Sequence, residues 1–307
     1  MKTLPTILLQ ICLKILISNN NIVSDKAPYE LCGAFFVSPK NFSAYIIIMK
    51  IFDLHNDIVT APGGLSLKEN EIISSKQSGA DVIYAVWSSE LDKRSFYEKC
   101  EFLSESADMF SIEDSSITGK DYSVLKNSKL KCCSLTWNYD NIFGGGAYGI
   151  RGLTCAGANF IKELNKAGVI LDVSHLNERT FFESAEVADR IIATHSGMNI
   201  VKKHPRNLSL MQIEKIVEKH GLVGLTPVPD FTDGGNLYGY LKSVDTFIMY
   251  FGYENLAIGS DFYGSEGIEG LRDYKTLHKN LFDHISLKHG KNAALAVLYD
   301  NAKRFFS

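Results

Sequence analysis

The 307-residue chain has no CxxC pair, no glycine-rich turn of the GxGxxG type, no apolar run of bilayer length near its start and no surplus of one charge. Each absence removes a class of function. The six cysteines stand apart or, at Cys132 and Cys133, side by side where they cannot readily bridge. That usage argues against a thiolate-held metal and for a reducing compartment. Without GxGxxG, a dinucleotide-binding sheet lacks its phosphate turn. Lys and Arg number 32 against 35 Asp and Glu, a net charge of −3, so no global field draws the chain to nucleic acid or to an anionic membrane. What is present, 45% hydrophobic and 22% charged residues, suits one large folded domain or two small ones.

Residues 1–48 read differently from the remainder. Their apolar stretch, residues 4–17, is interrupted by Gln10 and Lys14 and is shorter than the roughly 20 residues that span a bilayer. It ends in Ser18-Asn19-Asn20-Asn21 rather than a small-residue cleavage site, which disfavours a secretory signal. Residues 1–48 are therefore expected to be a weakly ordered extension, and Met49 stands where a second start would fall. The expected location is the cytoplasm, with secretion or membrane association disfavoured.

From Met49 onward, short apolar or β-branched runs alternate with polar segments of helix length, the signature of βα units around a parallel sheet. Strands are predicted at 50–53, 81–87, 109–113, 131–136, 169–173, 190–194, 222–226 and 256–259. Helices are predicted at 93–109, 155–167, 178–188, 209–220, 244–251, 274–288 and 292–305, with Gly168 and Gly221 as stops. Eight such strands predict an α/β fold, a single (β/α)₈ barrel, and residues 49–307 match its usual size of about 250 residues. An open doubly wound sheet is the alternative. Gly144-Gly145-Gly146 lacks the Lys and Ser/Thr of a P-loop and reads as a flexible loop near a site.

In a barrel of this kind, active-site side chains come from the C-terminal ends of the strands. Here those ends carry His55 and Asp57, Glu113 and Asp114, Asp172 and His175, His195, and Asp261. His55 and Asp57 are two apart on extended chain and share a face. Taken singly, each residue has a bland reading as a helix cap, a solvated loop residue or a satisfied core histidine. Taken together, three carboxylates and three histidines would converge on one mouth, where like charges repel and desolvation neutralises them. A cation removes that conflict. Imidazoles and carboxylates without a thiolate suit Zn²⁺, with Mn²⁺, Co²⁺ or Fe²⁺ as substitutes. Charge balance over Asp57, Glu113, Asp261 and one hydroxide favours two divalent ions. His220, His278, His284 and His289 fall on helical segments or their ends and read as surface residues.

These motifs resemble the membrane dipeptidase (renal dipeptidase) family, within the metal-dependent amidohydrolase superfamily. The resemblance runs from about Met49 to the C-terminus and is most specific at Gly152-Leu153-Thr154 and at Asn165-Lys166-Ala167-Gly168-Val169-Ile170-Leu171-Asp172-Val173-Ser174-His175. Thr194-His195-Ser196, His204-Pro205-Arg206-Asn207-Leu208, Ile258-Gly259-Ser260-Asp261-Phe262 and His55-Asn56-Asp57 complete it. The resemblance implies that His55 and Asp57 bind one zinc ion, His175 and His195 the second, and that Glu113 bridges both. It further implies that Asp261 handles protons and contacts substrate, that Arg206 binds the substrate carboxylate, and that a metal-bridged hydroxide attacks the peptide bond of a dipeptide.

The sequence departs from the family in places. Asp114 follows Glu113 where glycine is usual, Trp137-Asn138 occupies the place of a substrate-contacting histidine in the animal enzymes, and Tyr263 replaces a common aspartate. Two other functions share the same residues: hydrolysis of an acylated amino acid, cyclic amide or lactone, and non-catalytic binding of a small ligand. Expected partners are a dipeptide substrate and, as an open question, a second copy of the chain; neither nucleic acid nor a transmembrane segment is expected.

Overall fold

The computed structural model describes residues 50–307; the extension expected at residues 1–48 lies outside them. Among the described residues the strands are β1 (Ile51–Asn56), β2 (Ala80–Trp87), β3 (Met109–Glu113), β4 (Leu130–Ser134), β5 (Ile170–Asp172), β6 (Ile191–Met198), β7 (Asn207–Leu208), β8 (Val223–Leu225) and β9 (Leu256–Ile258). Eight of them close into a ring in the order β1-β2-β3-β4-β5-β6-β8-β9, with Asp53 opposite Ile258 at the seam. Every pairing in the ring is parallel. The predicted (β/α)₈ barrel is the observed fold. β7 lies outside the ring and pairs with the end of β6; two residues carry no periodic pattern, so the sequence reading lacks it.

Side-chain alternation along the strands sorts the core into two layers. Val82, Tyr84 and Val86 of β2, Ile112 of β3 and Leu171 of β5 pack outward with helix residues such as Phe96, Phe160 and Leu277. Phe52, Leu54, Ile83, Cys132, Ile170, Ile192, Leu222 and Ala257 form a second buried cluster inside the ring. Ala302 joins that cluster, and Phe306 stacks on Phe52 at 5.6 Å with an interplanar angle of 10°. The last residues of the chain thus close one end of the barrel, and the other end is left to the site.

The helices are α1 (Leu65–Gln77), α2 (Lys93–Ser106), α3 (Cys155–Ala167), α4 (Glu178–Ala185), α5 (Leu210–Glu218), α6 (Leu237–Phe251), α7 (Tyr274–His289), α8 (Lys291–Leu295) and α9 (Asn301–Phe305). Their ends follow capping chemistry. Thr154 accepts from Gly157 N to start α3, and Gly168 stops it in the left-handed region at φ 70°, which glycine adopts without a Cβ penalty. Ser209 and Gln212 form a reciprocal capping box on α5. Asn207, two residues before Ser209, donates to Lys202 O and Phe231 O.

The helices depart from the sequence prediction in two places. α1 was not predicted, because two of the three residues on its buried face, Lys68 and Ser75, are polar and only Ile72 is apolar. The connection from β3 to β4, for which no helix is predicted, contains two short 3₁₀ turns, Ser115–Thr118 and Ser123–Lys126. The closing segment is not one helix: a wide π-turn at Ala296–Asp300 separates α8 from α9. Asn301, 1% exposed, donates to Tyr253 O at 2.6 Å and Leu256 O at 2.8 Å, ties that a uniform helix was not expected to make. Among the described residues no helix is long and apolar enough to cross a membrane.

Candidate metal centre and active site

All the predicted ligands meet at one end of the barrel. β1 carries His55 and, one residue past its end, Asp57; β3 ends on Glu113; His175 follows β5; His195 lies within β6; Asp261 follows β9. The β1 register shifts between Asp53 and Asn56, around His55. Glu113 stands between two imidazoles, its Oε2 at 3.1 Å from His55 Nε2 and its Oε1 at 2.8 Å from His175 Nε2. Asp57 Oδ2 is 3.2 Å and Asp261 Oδ1 3.9 Å from His55 Nε2. His195 Nε2 faces His175 Nε2 at 2.8 Å, and its ring lies 3.8 Å from that of His55. Two groups of donor atoms gather within 4.8 Å of one another: His55, Glu113 and His195, and His55, Asp57 and Asp261.

This donor set fits a divalent cation. Among the described residues, His55 Nε2 and Asp57 Oδ1 are buried without a hydrogen-bond partner, and an unpaired polar atom in that position is costly. Burial opposes a charge on His55, but Asp57 and Glu113 outweigh it and hold the imidazole well above its ordinary value, so a positive charge is favoured at that point. Burial and then His55, Arg206 and His175 hold His195 well below its ordinary value. Burial and then Arg206 lower His175 as well. Both remain neutral, the state in which imidazole ligates. Glu113 stays ionised although buried, because His175 and His55 outweigh desolvation. Burial, reinforced by Asp57, lifts Asp261 well above the carboxylate range. Two carboxylates in one site are thereby held on opposite sides of their usual value.

Polar groups beneath the imidazoles orient them, and one of these, Thr194, was missed by the sequence reading. His175 Nδ1 meets Asn138 Oδ1 at 3.1 Å. Thr194 Oγ1 lies 2.9 Å from His195 Nδ1, 3.4 Å from His55 Nδ1 and 2.5 Å from Asp172 Oδ2. Asp172, a candidate from sequence, thus acts through a neighbour, while Ser196 Oγ finds no partner among the described residues. A signal was available in Thr194-His195, but a hydroxyl beside a histidine is too common to single out. Under β1, Asp53 accepts from His55 N at 3.2 Å, Ser260 N at 2.7 Å, Ser260 Oγ at 2.6 Å and Tyr274 Oη at 2.7 Å. That knot joins the first barrel strand to the last.

Arg206 is 4% exposed. Its guanidinium donates to Ser174 O, to His175 Nε2 at 2.9 Å and to His195 O at 3.3 Å, and sits 5.4 Å from the Phe231 ring centre. Among the described residues no carboxylate pairs with it. A buried guanidinium held by carbonyls and an imidazole suits an incoming anion. Arg206, His204, Tyr148, Trp87 and Trp137 line a cavity of about 420 Å³ that opens onto Glu113, His175, His195 and Asp261.

Local backbone explains two departures from the family pattern. Asp114 has φ 64° and ψ 75°, a left-handed conformation in which glycine costs least. The aspartate holds it by accepting from Ser116 Oγ at 2.6 Å, Asn141 Nδ2 at 2.8 Å and Ser89 Oγ at 2.8 Å. The carboxylate next to Glu113 therefore braces the backbone and leaves Glu113 in place. Tyr263, φ 69°, lines the same cavity, and its hydroxyl donates to Glu71.

The glycine run corrects a prediction. Gly144, Gly145 and Gly146 are buried. A Cβ on Gly146 would lie 2.3 Å from Trp137 O and 2.5 Å from Asn138 C, and one on Gly145 2.3 Å from Arg151 O. The run is a tightly packed crossing rather than a flexible loop. Gly146→Ala is expected to destabilise the protein by about 1–3 kcal/mol through overpacking, read as a lower thermal midpoint; an unchanged midpoint would show that Trp137 and Asn138 yield. His284 and His289 also depart from the surface reading. They are half-buried and each reaches Asp245 Oδ1 at 2.8 Å, tying α7 to α6.

The family model that matches residues 95–307 is described as membrane dipeptidase (peptidase family M19). The chain is similar to an uncharacterized protein in the pqqA 5′ region of Klebsiella pneumoniae, 32% identical over 162 residues, 48% of this chain and 60% of that protein. It is also similar to an uncharacterized dipeptidase of Schizosaccharomyces pombe, 30% identical over 153 residues, 46% of this chain and 37% of that one. The match therefore spans less than two thirds of either relative. Among solved structures, a Rhodobacter sphaeroides metallopeptidase with a phosphinate mimic of L-Ala-D-Ala superposes with a TM-score of 0.70 at 19% identity, over 84% of this chain and 98% of that one. Dipeptidase AC, a metallopeptidase of family M19, gives 0.74 at 19% identity with the same coverage. Those two likenesses show a shared fold. His55 and Asp57 precede the matched residues, and barrel closure brings them to Glu113. With more than half of its length matched, and with that barrel, the chain belongs to the membrane dipeptidase family, peptidase family M19.

Proposed function

We propose that the protein is a zinc-dependent dipeptidase. The observation that carries this reading is Glu113, whose two carboxylate oxygens face His55 on one side and His175 on the other. His55 and Asp57 would hold one zinc ion, His175 and His195 the other, and Glu113 would be shared. Mn²⁺, Co²⁺ or Fe²⁺ could occupy the same donors. A bound divalent cation lowers the pKa of water far below its bulk value, to about 7, and polarises a carbonyl oxygen.

The remaining chemistry belongs to the side chains. Arg206 receives the terminal carboxylate of the substrate, because its planar fork is buried beside the donors and has no carboxylate of its own. Arg206 and Glu113 line the same cavity, so one short substrate could reach both. Asp261, lifted by burial and by Asp57, takes the proton of the attacking water on Oδ1 and delivers it to the leaving amine. Trp87 and Trp137, 5.1 Å apart between ring centres, form part of the cavity wall.

The test pairs a metal count with a substrate panel on the full chain. Purified protein should hold close to two divalent ions, and chelation should abolish hydrolysis until metal is restored. Free-amine L,L- and L,D-dipeptides should be cleaved, while N-acylated amino acids, cyclic amides and lactones should not. Preferential cleavage of the acylated or cyclic compounds would replace the dipeptidase reading, and an active preparation without metal would end it.

A further inference from the structure

The hydrogen bonds under the imidazoles admit a complete donor count. Asp172 acts as an acceptor in each of its contacts. Its Oδ1 accepts from Ser174 N at 3.0 Å, Ser174 Oγ at 2.6 Å and Thr194 N at 3.1 Å, and its Oδ2 from Thr194 Oγ1 at 2.5 Å. A threonine hydroxyl has one proton and two lone pairs, and Asp172 takes the proton. Toward His195 Nδ1 at 2.9 Å and His55 Nδ1 at 3.4 Å, the hydroxyl oxygen can only accept. Ser174 Oγ, 3.2 Å from Thr194 Oγ1, does not compete for that role, since its own proton is on Asp172 Oδ1.

We infer that Thr194 is a positioning residue that holds both His55 and His195 with the proton on Nδ1, so that each ring turns its Nε2 lone pair toward the cation donors. The inference rests on the cation-binding reading above. A ligating histidine ordinarily gives its second N–H straight to a carboxylate or carbonyl, which sets its tautomer and ring angle. Here one hydroxyl stands between a single carboxylate and two imidazoles, one from each proposed zinc site. The two sites are thereby coupled: loss of the hydroxyl frees a ring in each, and the two ions should loosen together. His175, oriented separately by Asn138 Oδ1, is outside this device.

The test uses the full chain, stripped of metal and titrated with Zn²⁺ against a chromophoric chelator. Thr194→Val keeps the side-chain shape without the hydroxyl and is expected to weaken both ions by about 10–100-fold; Thr194→Ser should restore affinity close to the parent value. The visible spectrum of the Co²⁺-loaded protein should change in Thr194→Val and return in Thr194→Ser, a readout that loss of packing alone would not follow. Thr194→Ala removes the same hydroxyl and replaces the valine variant if that one does not fold. Parent-like affinity at both sites in the variant lacking the hydroxyl would overturn the inference, and weakening at one site alone would overturn the coupling. A parent protein that binds no divalent ion would instead sink the zinc reading itself.

Discussion

Replacing Glu113 by Gln should cost the protein one of the two cations proposed above and lower dipeptide hydrolysis by at least about 100-fold, the scale on which removal of one charge-stabilising group acts. Glu113 is 5% exposed and remains ionised in spite of that burial because His175 and His55 flank it. The amide of glutamine has nearly the same shape but no charge, and its NH₂ would point at one of the two imidazole nitrogens that now face carboxylate oxygens. A donor aimed at a ligand nitrogen displaces a cation instead of sharing it. Metal analysis and steady-state kinetics on the same preparation check both halves. Two ions and undiminished turnover in the variant would place Glu113 outside the centre.

Asp261→Asn should lower kcat by about 10²–10⁴-fold, the usual contribution of a positioned proton-transfer group, and leave metal content close to that of the parent. Asp261 Oδ1 is 3.9 Å from His55 Nε2, farther than either Asp57 or Glu113, so it contributes least to holding a cation. Its backbone lies at φ 56°, a conformation that asparagine tolerates, and the bonds from Asp261 N to His55 O and from Gly264 N to Asp261 O survive the change. The substitution thus removes a titrating oxygen with little else. Loss of an ion together with turnover would make Asp261 a ligand, and unchanged kcat would remove it from proton transfer altogether.

The ring of strands was legible because a parallel strand buried on both faces leaves a continuous apolar run, and each run here ends in a turn or a polar residue. The donors were legible for a related reason: a carboxylate or imidazole directly after such a run has few structural uses. Their supports were not. Thr194 and Asn138 are ordinary polar residues in sequence, and only closure of the ring brings them to Nδ1 atoms contributed by other strands. The glycine run was misjudged because glycine signals both flexibility and close approach, and the two differ only in what lies 2–3 Å from the missing Cβ. α1 escaped because its buried face is mostly polar: Lys68 donates to Val59 O, a carbonyl two residues past Asp57. That loop is braced by a helix without the apolar stripe that would have announced it.

The knot of Asp53 and Ser260 also sets an order of events in time. Ribosomal synthesis delivers His55 and Asp57 roughly two hundred residues before Asp261. β9 must then insert beside β1 before Asp53 can accept from Ser260 N and Oγ. Until that late step, the nascent chain displays a His-x-Asp pair and, later, two more imidazoles with no enclosing wall, a set of donors open to whichever divalent ion is most abundant or most avid. Any selection of a cation by the geometry of these donors therefore begins only when β9 is in place beside β1.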